Sequence, residues 1–274
     1  MKPTSLFFGL LFLATPAAFA QQPAPLINPT GKDAPSADAP GDLPANATVD
    51  QILDALDQRG QTLREFTAKV SLTSGDKFVE GVSTQVGQVS FQKKGDDDGR
   101  LHVVFVKRVD SHGTRDEKGE VLLDKGWVIE RDYRKKAETD REIVKPGEKV
   151  NLLKLGEGPF PLLIGQKKED VHKLFDVTLI PPAKGDPADT VHLRLVPKPG
   201  TRFSKHLEQM DMWVSRRSKF PVRVDTVGPD DSDPRSTKLE DVKINPEPGL
   251  KPGDFDLPKI DKNDWSLHTE PYRE

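Results

Sequence analysis

The 274-residue chain contains no cysteine, so disulfide staples, thiolate metal sites, a cysteine nucleophile and a lipid-accepting cysteine are all excluded. Charge of one sign is lacking too: 41 Lys and Arg nearly balance 44 Asp and Glu, giving a net charge of -3. No basic field calls for nucleic acid, and no basic patch is paired with aromatic platforms. Catalytic signatures are missing: there is no G-x-S-x-G elbow and no H-E-x-x-H pair. The six histidines are scattered, and His102, His192 and His206 sit singly in strand patterns, where a hydrogen-bonded or surface role is expected rather than metal ligation. Asp96-Asp97-Asp98 and Asp230-Asp231-Ser232-Asp233 read as solvated hairpin turns, because Asp bonds its own backbone there. Gly156-Glu157-Gly158-Pro159 is no phosphate cradle, since Glu157 repels phosphate and Pro159 has no amide to donate. No cofactor, metal or catalytic residue is expected, and the chain reads as a non-enzyme.

Long apolar runs are confined to the start. Lys2, the apolar stretch Leu6 to Leu13 and Ala18-Phe19-Ala20 form an export signal with cleavage expected after Ala20. The stretch is too short to span a bilayer. Residues 1–20 are therefore read as a signal peptide of an exported, soluble protein. Residues 21–47, rich in Pro, Ala and Asp, bury too little apolar surface to offset their ordering entropy and read as a disordered linker. The remaining roughly 230 residues suffice for one large core.

Thr48 with Gln51 matches a capping box, and Val49, Ile52, Leu53, Leu56 and Leu63 form one apolar helical stripe, with Gly60 weakening the last turn. From Phe66 the period switches to two, with Phe66, Ala68, Val70 and Leu72 alternating with polar residues. Further strands are predicted over Val82–Gln92, Leu101–Val109, Val121–Asp124, Trp127–Asp132, Ala137–Ile143, Asp176–Ile180, Val191–Val196, Leu207–Ser215, Phe220–Val227 and Thr237–Asn245. About eleven strands with short connections imply an antiparallel sheet, expected as one continuous meander, that curls rather than lies flat. The fold class is thus mainly β with a few helices.

One segment breaks the alternation. Leu152, Leu153, Leu155, Phe160, Leu162, Leu163 and Ile164 crowd between Pro159, Pro161 and Gly165, followed by a short helix over Lys167–Phe175. Proline forbids a regular strand or long helix here, so the segment drapes over something apolar. It serves either as plain core or as a lid over a cavity. Met210 and Met212 on one strand face are likewise either core filler or adaptable ligand lining.

Several local patterns, in order, resemble the LolA family of periplasmic lipoprotein carriers. Gly87-Gln88-Val89-Ser90-Phe91 resembles its "GxLWVKRP" strand, and Leu123 to Tyr133 its "SDGKTLWIYDP" hairpin. Pro161-Leu162-Leu163-Ile164-Gly165 stands where the family places lid helices, and Lys173 to Val177 resembles its "DFDV" strand entry. Leu239 to Pro246 and Phe255-Asp256-Leu257-Pro258 resemble the closing "FSNVKLNP...FxFxPP" run.

The resemblance implies an unclosed half-barrel, with an N-terminal helix and a helical lid on its concave side, over residues 48–258, followed by a tail at 259–274. It also implies a periplasmic carrier that shields acyl chains of lipoproteins or other lipids and passes them toward the outer membrane. Its partners would be an inner-membrane lipoprotein-releasing transporter and an outer-membrane receptor, and the chain would act as a monomer. The alternative is an envelope sensor or structural binder on the same fold. The apolar lining so implied comprises Val70, Leu72, Phe91, Val103, Phe105, Trp127, Ile129, Leu152, Leu155, Phe160, Leu162, Leu163, Met210 and Met212. In the family an Arg-Pro pair ends the strand after the first hairpin and latches the lid. Here Gln92-Lys93-Lys94 stands in its place, so Lys93 and Lys94 are the latch candidates, with a point charge instead of a planar fork.

Overall fold

The computed structural model describes residues 41–76, 79–95, 98–145, 147–148, 163–229 and 232–272. Helix α1 spans Val49–Thr62, and its capping box forms as expected: the Gln51 amide donates to Thr48 Oγ1 at 3.3 Å, and the Thr48 amide to Gln51 Oε1 at 2.9 Å. Ile52, Leu53 and Leu56 are fully buried, each contributing roughly 1.5–3 kcal/mol of transfer free energy.

The folded region begins before the helix, which moves the expected linker boundary at Ala47. Leu43 and Ala47 are buried, and the Leu43 amide donates to the Arg216 carbonyl at 2.9 Å. The Arg216 guanidinium in turn donates to the carbonyls of Leu43, Pro44 and Ala45. These few residues pack because one leucine and one guanidinium organise them.

Twelve strands follow: β1 Glu65–Asp76, β2 Val79–Gly95, β3 Asp98–Asp110, β4 Gly113–Asp124, β5 Trp127–Asp132 and β6 Ala137–Glu142, then β7 Phe175–Ile180, β8 Thr190–Pro197, β9 Gln209–Ser215, β10 Pro221–Gly228, β11 Ser232–Ile244 and β12 Ser266–Glu270. Helix α2, Lys168–Leu174, precedes β7. They form one unclosed, curved sheet in the order β12-β6-β5-β4-β3-β2-β1-β11-β10-β9-β8-β7.

This is not the single continuous meander that short connections suggested. Two meanders, β1–β6 and β7–β11, join where β1 pairs antiparallel with β11. The hairpins fix neighbours within each half, while the long connection from β6 to α2 carries the chain to the far edge of the sheet. The stretch read as a tail supplies the twelfth strand, β12, which pairs parallel with β6.

Side chains alternate along the strands between β-bulges at Thr67–Lys69, Val86–Gly87 and Phe105–Lys107, and the registers sort them onto two faces. Phe66, Val89 and Phe91, Leu101 and Val103, and Leu123 and Val128 share the inner face, which also carries α1. Two connections link opposite parts of the sheet. The described ends of the crossing segment between β6 and α2 lie on the inner face, where Ile143, Val144 and Ile164 pack on the core of β1–β5. Residues 245–265 cross the outer face as a strap. Along it Glu65 accepts from the Leu250 amide, His102 Nδ1 bonds the Asp254 carbonyl at 2.9 Å, Arg100 lies over Phe255, and Arg131 donates to the Pro258 carbonyl at 2.6 Å.

Candidate functional site

The inner face is built from two apolar clusters. One centres on β1–β5, where Phe66 stacks on Phe91 at 5.4 Å and meets Phe220 edge-on at 5.0 Å, with Val70, Val103, Phe105 and Val128 around them. The other joins α1 to β7–β10 and holds Met210 and Met212 against Leu193 and Leu195. Of the lining expected from sequence, Val70, Leu72, Phe91, Val103 and Phe105 fall together on the first cluster, and Met210 and Met212 on the second.

Leu163 and Ile164 sit between the two. Leu163 packs into the second cluster and Ile164 into the first, consecutive residues divided by a positive φ of 51° at Leu163. Leu152, Leu155, Phe160 and Leu162 lie outside the described residues.

Trp127 and Ile129 are not on this face. Val128 stands opposite Leu123, which stands opposite Leu101, so Val128 is the inward residue and its two neighbours point outward, where both are partly exposed. Lys94 is also displaced from its expected role, because its Nζ pairs with Asp124 on the outer side at 2.6 Å. The Lys93 amide donates to the Arg64 carbonyl at 2.7 Å, tying β2 to the end of α1. The attachment between α1 and the crossing segment is made instead by backbone: the Gly165 amide donates to the Leu56 carbonyl at 3.1 Å.

Farther from α1 the inner face changes character, which alternation did not foretell. Register carries it from Leu72 through Gln85 and Arg108 to Arg115. There Arg115 bonds Asp110 at 2.7 Å and Glu117 at 3.0 Å, and Arg108 lies 3.4 Å from each of the same carboxylates. Burial pushes Asp110 and Glu117 up, but the hydrogen bonds and charges of Arg115 and Arg108 outweigh it and hold both below the usual carboxylate range. Leu72 and Val121 mark the transition, only partly buried against the apolar cluster.

At the β6 end, Glu130 is half-buried beside Arg141, whose Nη1 is 4.0 Å away. Burial lifts its carboxyl above the ordinary glutamate range; Arg141 opposes that rise and Glu270 adds to it. On the outer face of β8–β10, His192 donates to Asp211 at 2.8 Å, stacks on Trp213 at 4.1 Å, and shares Asp211 with Arg194. Burial raises Asp211, yet its three donors, Arg194, His192 and Gln209, hold it below its usual range. An open cleft of about 340 Å³ lies by the β10–β11 turn, lined by Lys205, Leu207, Thr226 and Arg235, away from the expected lining. Among the described residues no group of three or more His, Asp or Glu is arranged to hold a metal ion, and no helix is long and apolar enough to cross a membrane.

No protein-family model matches the sequence, and no curated protein matches it. Among solved structures the chain is similar to an uncharacterised conserved protein from Thermus thermophilus, at 12% identity and a TM-score of 0.45, over 80% of this chain and 98% of that one. It is similar to the Pseudomonas aeruginosa MucA/MucB complex structure, at 10% identity and a TM-score of 0.43, over 76% of this chain and 60% of that one. It is also similar to a LolA superfamily protein from Nitrosomonas europaea, at 10% identity and a TM-score of 0.30, over 77% of this chain and 99% of that one. None of these likenesses identifies a ligand.

Proposed function

We propose that this chain is an exported binding protein that shields acyl chains of lipoproteins or other lipids against the inner face of its half-barrel and carries them through the periplasm. One observation carries the reading. Strand order takes the chain from β6 near one end of the sheet to β7 at the other, and the connection between them carries Leu152, Leu153, Leu155, Phe160, Leu162 and Leu163. Its described ends, Val144 and Leu163, sit on the two apolar clusters. An apolar face whose two clusters are joined by an apolar stretch of chain supplies the surface an acyl chain requires, since each methylene hidden from water is worth ~0.8 kcal/mol.

In this reading the inner-facing Leu72, Phe105, Val121 and Val144 contact the chain, and no covalent chemistry occurs. Donor and acceptor membranes, through a releasing transporter and a receptor, are the partners such a carrier needs. A second reading is favoured by the ion pairs of Arg108, Asp110, Arg115 and Glu117, which make the far half of the inner face suited to a peptide. There the protein senses or regulates by binding a protein segment.

One titration separates the two. A fluorescent di-acylated peptide and its deacylated form are added to the delipidated protein. Saturable binding of the acylated form alone supports the carrier; equal binding of both supports the regulatory binder; binding of neither contradicts both.

A further inference from the structure

Among the described strands, β12 is the most exposed to solvent. Its residues Ser266 to Thr269 are exposed, and its one large apolar side chain, Leu267, is 45% exposed, so burial contributes little to its docking. The approach to it is held by the half-exposed ion pair Lys136–Asp264 and by Trp265 edge-on to Tyr133 at 5.1 Å. Exposed pairs of this kind contribute ~0–1 kcal/mol. Upstream the strap is anchored differently, by Phe255, which is 4% exposed beneath Arg100. Anchoring therefore weakens past Pro258, and the five-residue parallel pairing beyond it is a unit of low local stability.

What β12 covers is chemically suited to another strand. Arg141 of β6 lies between two carboxylates: its Nε is 2.6 Å from Glu270 of β12, and its Nη1 is 4.0 Å from Glu130 of the sheet body. Departure of β12 leaves Arg141 to Glu130 and exposes a row of unpaired backbone groups on β6, a template for any extended chain. Arg141 and Lys136, now facing Glu270 and Asp264, favour an acidic one.

We infer that the edge of β6 is a strand-acceptor site, filled here by the chain's own β12, for an extended protein segment bearing a carboxylate in the register of Glu270. The site lies at the sheet edge and stands or falls independently of acyl-chain binding.

The absence of native cysteine allows a direct trap. Thr139 pairs with His268, so the full chain carrying Thr139→Cys is mixed, in a glutathione buffer, with a synthetic peptide of residues 263–272 carrying His268→Cys. Disulfide capture is read by mass. Capture is expected to exceed that of a scrambled peptide, and to fall about tenfold with Glu270→Gln in the peptide, equivalent to ~1.4 kcal/mol. Equal capture of all three peptides overturns the site. Hydrogen exchange on the unmodified full chain gives a second readout. Amides of Leu267–Glu270 should exchange at least about 100-fold faster than those of Val103–Phe105. Equal protection would show that β12 does not open, and would overturn the inference as well.

Discussion

Gly60 of α1 and Gly165 of the crossing segment meet backbone to backbone: a Cβ placed on Gly60 would lie 2.2 Å from Gly165 Cα and 2.3 Å from its nitrogen. The sequence reads Gly60 as a weak point in the helix, and in isolation that is what it is. In the fold it is the only residue type that lets the segment dock and the Gly165 amide reach Leu56.

Gly60→Ala should therefore destabilise the protein despite a helix-propensity gain of about 1 kcal/mol. The clash is with backbone, which does not yield as a flexible side chain would. A net loss of about 2 kcal/mol or more in urea unfolding is expected, the scale of overpacking a tight contact. Gly165→Ala should also cost about 1–2 kcal/mol, because its φ of 73° disfavours a side chain. A neutral or stabilising Gly60→Ala would show that the contact is loose.

The two faces of β5 can be told apart by truncation. Val128→Ala removes inward methyl groups from the first cluster and should cost about 2 kcal/mol. Ile129→Ala, on the outer face, should cost less than half of that although more atoms are removed. The reverse order, measured by thermal or urea denaturation, would return Trp127 and Ile129 to the interior.

Much of this architecture was legible in the chain itself. The capping box at Thr48 and Gln51 and eleven of the twelve strands follow from caps and period-two alternation. The face of β5 was not legible, because Trp127, Val128 and Ile129 are all apolar and only the pairing Leu123–Val128 chooses among them. β12 was missed because Ser266–Glu270 has no apolar alternation; its place is decided by where the strap ends. The ionic half of the inner face was hidden for a related reason. Arg108 to Glu117 looks like a solvated hairpin until the register with Gln85 and Leu72 turns it inward.

The start of the folded unit is set by Leu43 and Arg216. Leu43→Ala should cost about 2 kcal/mol, the low end for a buried leucine. Arg216→Ala should cost about 1–2 kcal/mol by leaving three carbonyls without their donor. Deleting residues 22–40 should leave the unfolding midpoint within a degree or two of the parent. A large fall on that deletion, or none on the two substitutions, would move the boundary.

Glu130 gives a signed pH dependence. Its folded-state pKa is raised, so its ionisation disfavours the fold, and the native state regains stability as pH falls through that raised value. Glu130→Gln should accordingly stabilise the protein at neutral pH, while Arg141 keeps Glu270 as its partner. The gain should vanish once the pH drops below the ordinary glutamate range, where the parent side chain is neutral in both states. A destabilising Glu130→Gln at pH 7 would mean that the Arg141 contact outweighs the cost of burial.

Binding of acyl chains is tested most directly by mass spectrometry of the protein purified gently, without detergent, from the exporting cell. Native spectra, followed by solvent extraction, should show close to one acyl-bearing molecule per folded chain, lost on extraction and restored by adding lipid back. A folded protein that arrives free of lipid and takes up none on addition would contradict the carrier account.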